Sequence, residues 1–540
     1  MSDMEKESPQ SSVLVVAKPQ EQPPKRKLPI KWQLAMIILT CLCTFGNHWS
    51  NGLIVAMKTT IIKNLKINNS EFATLVAVTN LVNTFLCIGI GFCIDKWGGV
   101  PLSVILAAFH FAGALVMGGS ASINSYPLLV AGKVIAAIGD GSLDNAQHRI
   151  FSTYFAPGRG FAFSIGAIWS IANLAQFTGQ STANIIANNL GGYAFSLWIS
   201  AAISLFSLIC AVTVVVLDRY LRANYDVTDQ TSGKRYAKGV KYGNFQLGAV
   251  KHLPMTFWIV VLFAVFENAG VQSFVSISTQ FAQQRLKKGA VVGGWVSSFY
   301  LLLPVGLTPF LGIFIDGYGH RVSFLFISGL MFLTSMLLLK FSHTVPSFIA
   351  AYVFYALSQS VTPAPQVEII RNIIPDPQYF ATGFAIKKSI VQASIVIITT
   401  AAGKLQDDSR TNSLDPAVSL WLAYAFVSVF VSGCLLLAAY TSWGKRLLPA
   451  ARLSQVAPSK LHAEVEKVWE VNDRMHLKDV PEEISKEKIL KSPNPDGLSR
   501  YVYAVGSLVG CGIVLVGWVM FALGVNWGVH GSVIAGTVGE

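Results

Sequence analysis

The chain alternates long apolar runs with short polar ones. An apolar helix of about 20 residues crosses the core of a bilayer, and windows of that length recur along the sequence. They fall at 33–57, 70–94, 101–121, 126–152, 161–187 and 193–217, then at 255–281, 291–315, 322–341, 346–373, 380–403 and 416–441. A further apolar run, 501–526, follows a charged stretch and contains Gly506-x-x-x-Gly510, a spacing that lets helix backbones approach closely. The pattern predicts an all-α integral membrane protein. A polar, Pro-rich disordered segment (1–32) leads into a six-helix bundle (33–217), a central linker (218–254) and a second six-helix bundle (255–441). A charged tail (442–500) and a thirteenth transmembrane helix follow.

Composition agrees with this. Of 540 residues 52% are hydrophobic and 13% charged, against about a quarter charged in soluble domains. Lys plus Arg number 41 and Asp plus Glu 28, a net charge of +13. The basic residues sit between apolar runs and in the tail, so the lipid bilayer is the expected partner and nucleic acid is not. Loops on the amino-terminal side hold about twice as many Lys and Arg as the opposite loops, which predicts a cytosolic amino terminus. No cleaved signal peptide is expected. Asn68-Asn69-Ser70 falls in the first outer loop and makes Asn68 a glycosylation candidate. The seven cysteines lie within apolar segments without metal-ligand or disulfide-framework spacing, and read as small core residues. The sequence holds no Walker loop, HExxH, G-x-S-x-G or dinucleotide fingerprint, so no enzyme, cofactor or metal site is expected.

One charged turn is written twice: "GFCIDKWGGV" after the second span and "GIFIDGYGHR" after the eighth. Gly91 matches Gly312, Asp95 matches Asp316 and Gly98 matches Gly319. A repeat at half-chain distance predicts two halves built alike, with a cavity between them at the bilayer midplane. The leading glycines admit a close neighbouring helix. The aspartates are placed to cap a helix of the opposite bundle, and the last glycines permit a tight turn, which together make a gate.

Ionisable groups inside spans are costly and mark candidate sites. Span 4 carries Asp140, Asp144 and His148 at i, i+4 and i+8 on one face, with Gln147 beside them. Asp140 is a candidate for a proton or for an ammonium group of a cargo. Asp144, His148 and Arg149 read equally as a structural network. Span 1 contributes Asn47 and His48, and span 7 contributes Glu267 and Asn268. Span 5 offers a neutral polar row, Asn173, Gln176 and Gln180. In span 10, Pro363 and Pro365 predict a kink that frees carbonyls, and Glu368 is expected to pair with Arg371. Lys387 and Lys388 are adjacent in span 11. One is expected to reach the cytosolic interface and the other to point inward, serving an anionic cargo group or an acid of the gate.

The duplicated turn resembles the motif of the major facilitator superfamily, G-x-x-x-D-x-x-G-x-R. Arg321 completes the second copy, while Val100 stands at that position in the first. Within the superfamily, "GKVIAAIGDGSLDNAQ", "LPVGLTPFLGIFIDGYGHR" and "ATGFAIKKSI" resemble stretches of the lysosomal dipeptide uniporter family. That resemblance implies the major facilitator fold, two bundles of six helices, and an alternating-access carrier with one pathway per monomer. It implies small polar substrates such as dipeptides or amino-acid-like compounds, a lysosomal or vacuolar membrane (the plasma membrane being the alternative), and an accessory membrane glycoprotein. Helices 1, 4, 7 and 10 line the cavity in this superfamily. The sequence departs from the family where its acidic residue would fall on Gly141, with Asp140 one place earlier, and where its span 5 arginine becomes Asn173. Two other readings stay open: a proton-coupled symporter or antiporter of organic anions, sugars or drugs, and a transceptor or scaffold acting through the charged tail.

Overall fold

The computed structural model describes residues 26–155, 161–227, 250, 253–341, 343–373, 380–409, 412–457, 460 and 501–531. The amino-terminal segment read from the sequence as disordered (all but its last few residues), most of the central linker and most of the charged tail lie outside these residues, as do the side chains of Asp95 and Asp316.

Every predicted span is helical. Eleven helices among the described residues are long and apolar enough to cross a membrane, including Val502–His530. The fifth place in the series holds a helix with many polar residues, Phe161–Asn189, and the tenth is divided into two short helices, Val345–Val361 and Pro363–Ile373. The break in span 10 falls at Thr362, where the prolines remove the next backbone donors. A second break was not foreseen. Span 1 is two helices, Ile30–Leu42 and Phe45–Ala56, and the Gln147 side chain donates to the Thr40 carbonyl at 2.6 Å beside the break. This supplies a partner for a carbonyl near the interrupted ladder.

The duplicated turns have the backbone expected of them. Gly98 (φ 88°) and Gly319 (φ 78°) both lie in the region that side chains with a Cβ avoid. At Gly312 an added Cβ would stand 2.5 Å from the Ala162 carbonyl oxygen, so span 8 touches span 5 through bare backbone. The halves meet along spans 5 and 8 and along spans 2 and 11. Arg26–Lys27 forms a two-residue parallel pairing with Tyr225–Asp226, which brings the amino-terminal segment and the end of the first bundle to one face of the molecule. We call this the amino-terminal face and the opposite one the far face.

Three apolar clusters hold the bundles. One in the first half packs Trp49, Leu53, Phe72 and Leu197 toward the far face, and one in the second half packs Phe274, Phe281, Tyr355 and Trp421. The third lies toward the amino-terminal face and unites both halves, with Phe151, Tyr154 and Ile165 against Phe257, Ile370 and Phe384. Apolar contact in this third cluster closes that end of the space between the bundles. Five of the cysteines are buried or partly buried, but Cys434 and Cys511 are exposed on the outer surface, correcting their reading as core residues.

Span 13 packs on spans 2, 7 and 11 through its glycines. Gly506 lies against Trp258, Gly517 against Ala393, and Gly528 against Glu71. At Gly506 an added Cβ would stand 2.3 Å from the Trp258 ring, so bare backbone is needed there for the close approach.

Candidate functional site

Between the halves lies a cavity of about 250 Å³. This is just under the range that holds drug-sized ligands and suits a small solute. Its first-half wall carries Asn47, His48, Lys133, Asp140, Asp144, His148, Asn173 and Gln176. Its second-half wall carries Asn268, Gln272, Gln359, Lys387, Lys388 and Gln392. Polar groups from spans 1, 4, 5, 7, 10 and 11 therefore meet in one space, with Asn47, His48, Asp140, Asn173, Gln176 and Asn268 of the candidate cargo-binding residues among them.

The charges are arranged in two groups. Asp140 lies on the cavity wall with His110 of span 3 behind it, Nδ1 to Oδ1 2.5 Å, both side chains 4% exposed. The Asn47 amide sits between Asn51 and this carboxylate. In one orientation its oxygen accepts from Asn51 Nδ2 at 2.9 Å, and in the other its nitrogen donates to Asp140 at 3.0 and 3.2 Å. Lys133 Nζ donates to Asn51 Oδ1 at 2.8 Å, continuing the row. The second group joins the halves: Lys388 Nζ donates to Asp144 Oδ2 at 2.8 Å, and His48 Nε2 stands 4.0 Å from the other carboxylate oxygen. A direct neutral bond also crosses the cavity, from Gln359 Nε2 to Asn173 Oδ1 at 3.0 Å.

Lys387 differs from its neighbour. It is 5% exposed and lies over the Phe384 ring at 5.3 Å, and it has no anionic partner within ion-pair distance among the described residues. The expectation that one of the two lysines reaches the membrane interface is corrected. Both line the cavity, because span 11 starts at Phe380 and puts them about two turns inside the helix.

Three further expectations are corrected. Glu267 is fully buried and does not line the cavity. Its Oε1 accepts from Ser328 at 2.6 Å, from Ser358 at 3.1 Å and from Thr362, tying spans 7, 9 and 10 together. Gln147 is likewise buried, its amide spent on Thr40 and on Thr44 Oγ1 at 3.1 Å. Glu368 faces Arg321 at 3.4 Å rather than Arg371, which donates to the Phe155 carbonyl at 3.4 Å. Arg321 also donates to the carbonyls of Ser454 and Val456, so the motif arginine anchors the chain that follows span 12.

Others fall outside the cavity. Arg149 donates to Ser152 Oγ at 3.4 Å. Gln180 donates to Ser297 at 2.7 Å and Thr279 at 3.0 Å, closing spans 5, 7 and 8 together toward the far face. Asn68 is 2% exposed, its Oδ1 accepts from Glu71 N at 2.8 Å as the cap of span 2, and its Nδ2 donates to Gly528 O at 2.8 Å. A glycan attaches at that nitrogen, so this arrangement corrects the glycosylation reading.

The sequence reading passed over two participants. Lys133 continues the span 4 stripe backward from Asp140 by two turns, and that extension alone would have found it. His110 is a lone histidine on another helix and carried no spacing signal.

Comparison with known proteins agrees with this architecture. The model of the Major Facilitator Superfamily matches residues 40–290. The chain is 23% identical over 416 residues to the lysosomal dipeptide transporter MFSD1 of Danio rerio, covering 75% of this chain and 85% of the relative. It is 23% identical over 421 residues to the human protein of the same name, covering 75% and 83%. Among solved structures, the proton:xylose symporter XylE superposes with a TM-score of 0.61 at 11% identity, over 76% of this chain and 96% of the symporter. FucP in its outward conformation superposes with a TM-score of 0.54 at 13% identity, over 75% and 99%. Two six-span halves around a polar cavity, the duplicated glycine-aspartate turn and these matches show a multi-pass membrane carrier, not an enzyme, with the fold of the major facilitator transporters.

Proposed function

We propose that this carrier moves small zwitterionic solutes of dipeptide size across a lysosomal or vacuolar membrane, with its amino terminus in the cytosol and one pathway in each chain. Asp140 takes the cargo's ammonium group, and Lys387 takes its carboxylate. The carrying observation is Lys387, a buried cation on the second-half wall without an anionic partner among the described residues, in a cavity whose other wall holds Asp140. A buried charge is costly unless it is paired, and a cargo carboxylate supplies the pair. This also accounts for Asn173 where the resembling family has an arginine: the cation stands on span 11 instead of span 5. Relatives named lysosomal dipeptide transporters support the substrate class and the membrane.

The test is uptake by reconstituted vesicles of a panel of dipeptides, amino acids, sugars and organic anions at two pH values. A dipeptide should be preferred over its carboxyl-amidated form by roughly ten- to a hundredfold, the worth of a charge-assisted hydrogen bond. Lys387→Gln should erase that preference. Equal uptake of the two forms by the unmodified carrier would refute this assignment.

A second reading is proton-coupled transport, favoured by the buried His110–Asp140 contact. It predicts that a pH gradient drives accumulation and that Asp140→Asn abolishes the accumulation while sparing exchange. Uniport predicts insensitivity to proton ionophores.

A further inference from the structure

Span 2 begins at Asn69 on the far face and ends at Trp97 on the amino-terminal face. Span 11 ends at Asp407, and this carboxylate reaches across to the start of span 2 in the other half. Its Oδ1 accepts from the Asn69 backbone N–H at 3.2 Å and from Asn69 Nδ2 at 2.9 Å. Its Oδ2 accepts from the Ser70 backbone N–H at 2.9 Å and from the Ser70 hydroxyl. The next donor, Glu71 N, is taken by Asn68. Two of the orphan donors of span 2's first turn are thus satisfied from the opposite bundle, by an anion placed at the positive end of the helix dipole.

Neighbouring contacts build the same seam. Gln406 accepts from Lys58 Nζ at 3.0 Å and donates to Gln280 at 3.1 Å, linking the chain after span 1 to spans 7 and 11. At Gly403 an added Cβ would stand 2.7 Å from Ala73 Cβ, so spans 2 and 11 are in close contact one turn below the clasp.

We infer that Asp407 is the gating residue of the far face. Spans 2 and 11 run antiparallel, and the aspartate that ends span 11 sits on the amino terminus of span 2. A carrier that opens to its two faces in turn must separate the halves at one end while they hold at the other. Asn69 and Ser70 leave Asp407 when the far face opens, and the strength of this clasp sets how often that occurs.

The test reads access and needs no cargo, so its outcome is separate from the substrate assignment. The full chain, its seven native cysteines replaced, carries Asn80→Cys on the cavity wall and is treated in oriented vesicles with a membrane-impermeant maleimide from each face in turn. Asp407→Ala should speed labelling from the far face by about fivefold or more, with no gain from the amino-terminal face. A Ser70→Cys and Asp407→Cys pair should cross-link under oxidant and stop far-face labelling until reductant is added. Asp407→Asn, which keeps one acceptor oxygen, should fall between wild type and the alanine variant and serves if that variant does not fold. Unchanged far-face labelling in a folded Asp407 variant, a cross-linked protein that still labels, or failure of the pair to cross-link would each overturn the assignment.

Discussion

The Lys388–Asp144 contact is the one ion pair between the two halves among the described residues, and its environment fixes what breaking it should do. The charged atoms are 2.8 Å apart, and the side chains are 14% and 19% exposed. Pairs this buried draw little net stability from being charged, because desolvating both ions offsets most of their attraction. Removing one partner, however, strands the other charge at a cost of about 3–5 kcal/mol. Lys388→Met should therefore leave the Asp144 carboxylate exposed to that penalty in the closed arrangement, and Asp144→Asn should do the same to the ammonium group. His48, 4.0 Å from Asp144, is too distant to replace the lysine. Because the partners belong to different bundles, separating the bundles rehydrates the stranded charge. Each single variant should melt lower in nanodiscs and should label faster at a cavity cysteine. The double variant, Asp144→Asn with Lys388→Met, buries no charge there and should recover to within about 1 kcal/mol of wild type, a coupling energy of several kcal/mol by the double-mutant cycle. If the two single effects simply add, the pair does not hold the halves together and the reasoning fails.

Glu267 should behave as a structural acid. Glu267→Ala removes the one carboxylate acceptor shared by three buried hydroxyls and should lower stability by about 1–3 kcal/mol, whereas substrate ranking in the uptake panel should not change. Asn68→Ala should cost about 1 kcal/mol through loss of the span 2 cap, measured by thermal unfolding, and treatment with a glycosidase should produce no Asn68-dependent mobility shift. Lys58 lies just beyond span 1, and burial pushes its ammonium down to about 7, with Asp407 acting in the opposite direction. An opened far face returns it toward its ordinary value near 10.5, so closure releases a proton between those limits. Far-face labelling, normalised to an exposed cysteine, should therefore be flat below pH 7 and slow as pH rises from about 7 to 10. Lys58→Met should flatten the curve.

The sequence made the bundle legible because the bilayer enforces a single length scale. The boundaries at 126, 193, 255 and 380 coincide with helix starts at Tyr126, Tyr193, Met255 and Phe380, since polar loop residues cannot enter the hydrocarbon. The span 4 stripe was legible for the same kind of reason: three-and-four spacing fixes which side chains share a face. What periodicity cannot reveal is which neighbour a face meets. Glu267 and Asn268 are adjacent in sequence, yet one is sealed among hydroxyls of spans 9 and 10 while the other lines the cavity. Asp407 belongs to the run Gln406-Asp407-Asp408 at a helix end and looks like a solvated loop charge until span 2 is brought beside it. Likewise, the carbonyl of Thr40 beside the break in span 1 finds its partner, Gln147, on another helix.

The same distinction separates the roles of the polar groups. Side chains with every bond spent inside one half, such as Glu267 and Gln147, stabilise a bundle that moves as a body and do not change partners during transport. Side chains bonded across the halves, Lys388 to Asp144, Gln359 to Asn173 and Asp407 to Asn69 and Ser70, must exchange partners whenever the bundles rock. The first two lie in the cavity, where cargo can replace the lost partner, and the third lies at its rim, where only water can. Cargo binding should therefore weaken the Lys388–Asp144 and Gln359–Asn173 contacts while leaving the Asp407 clasp unaffected. That difference permits the cavity to respond to its contents and the rim to set the pace.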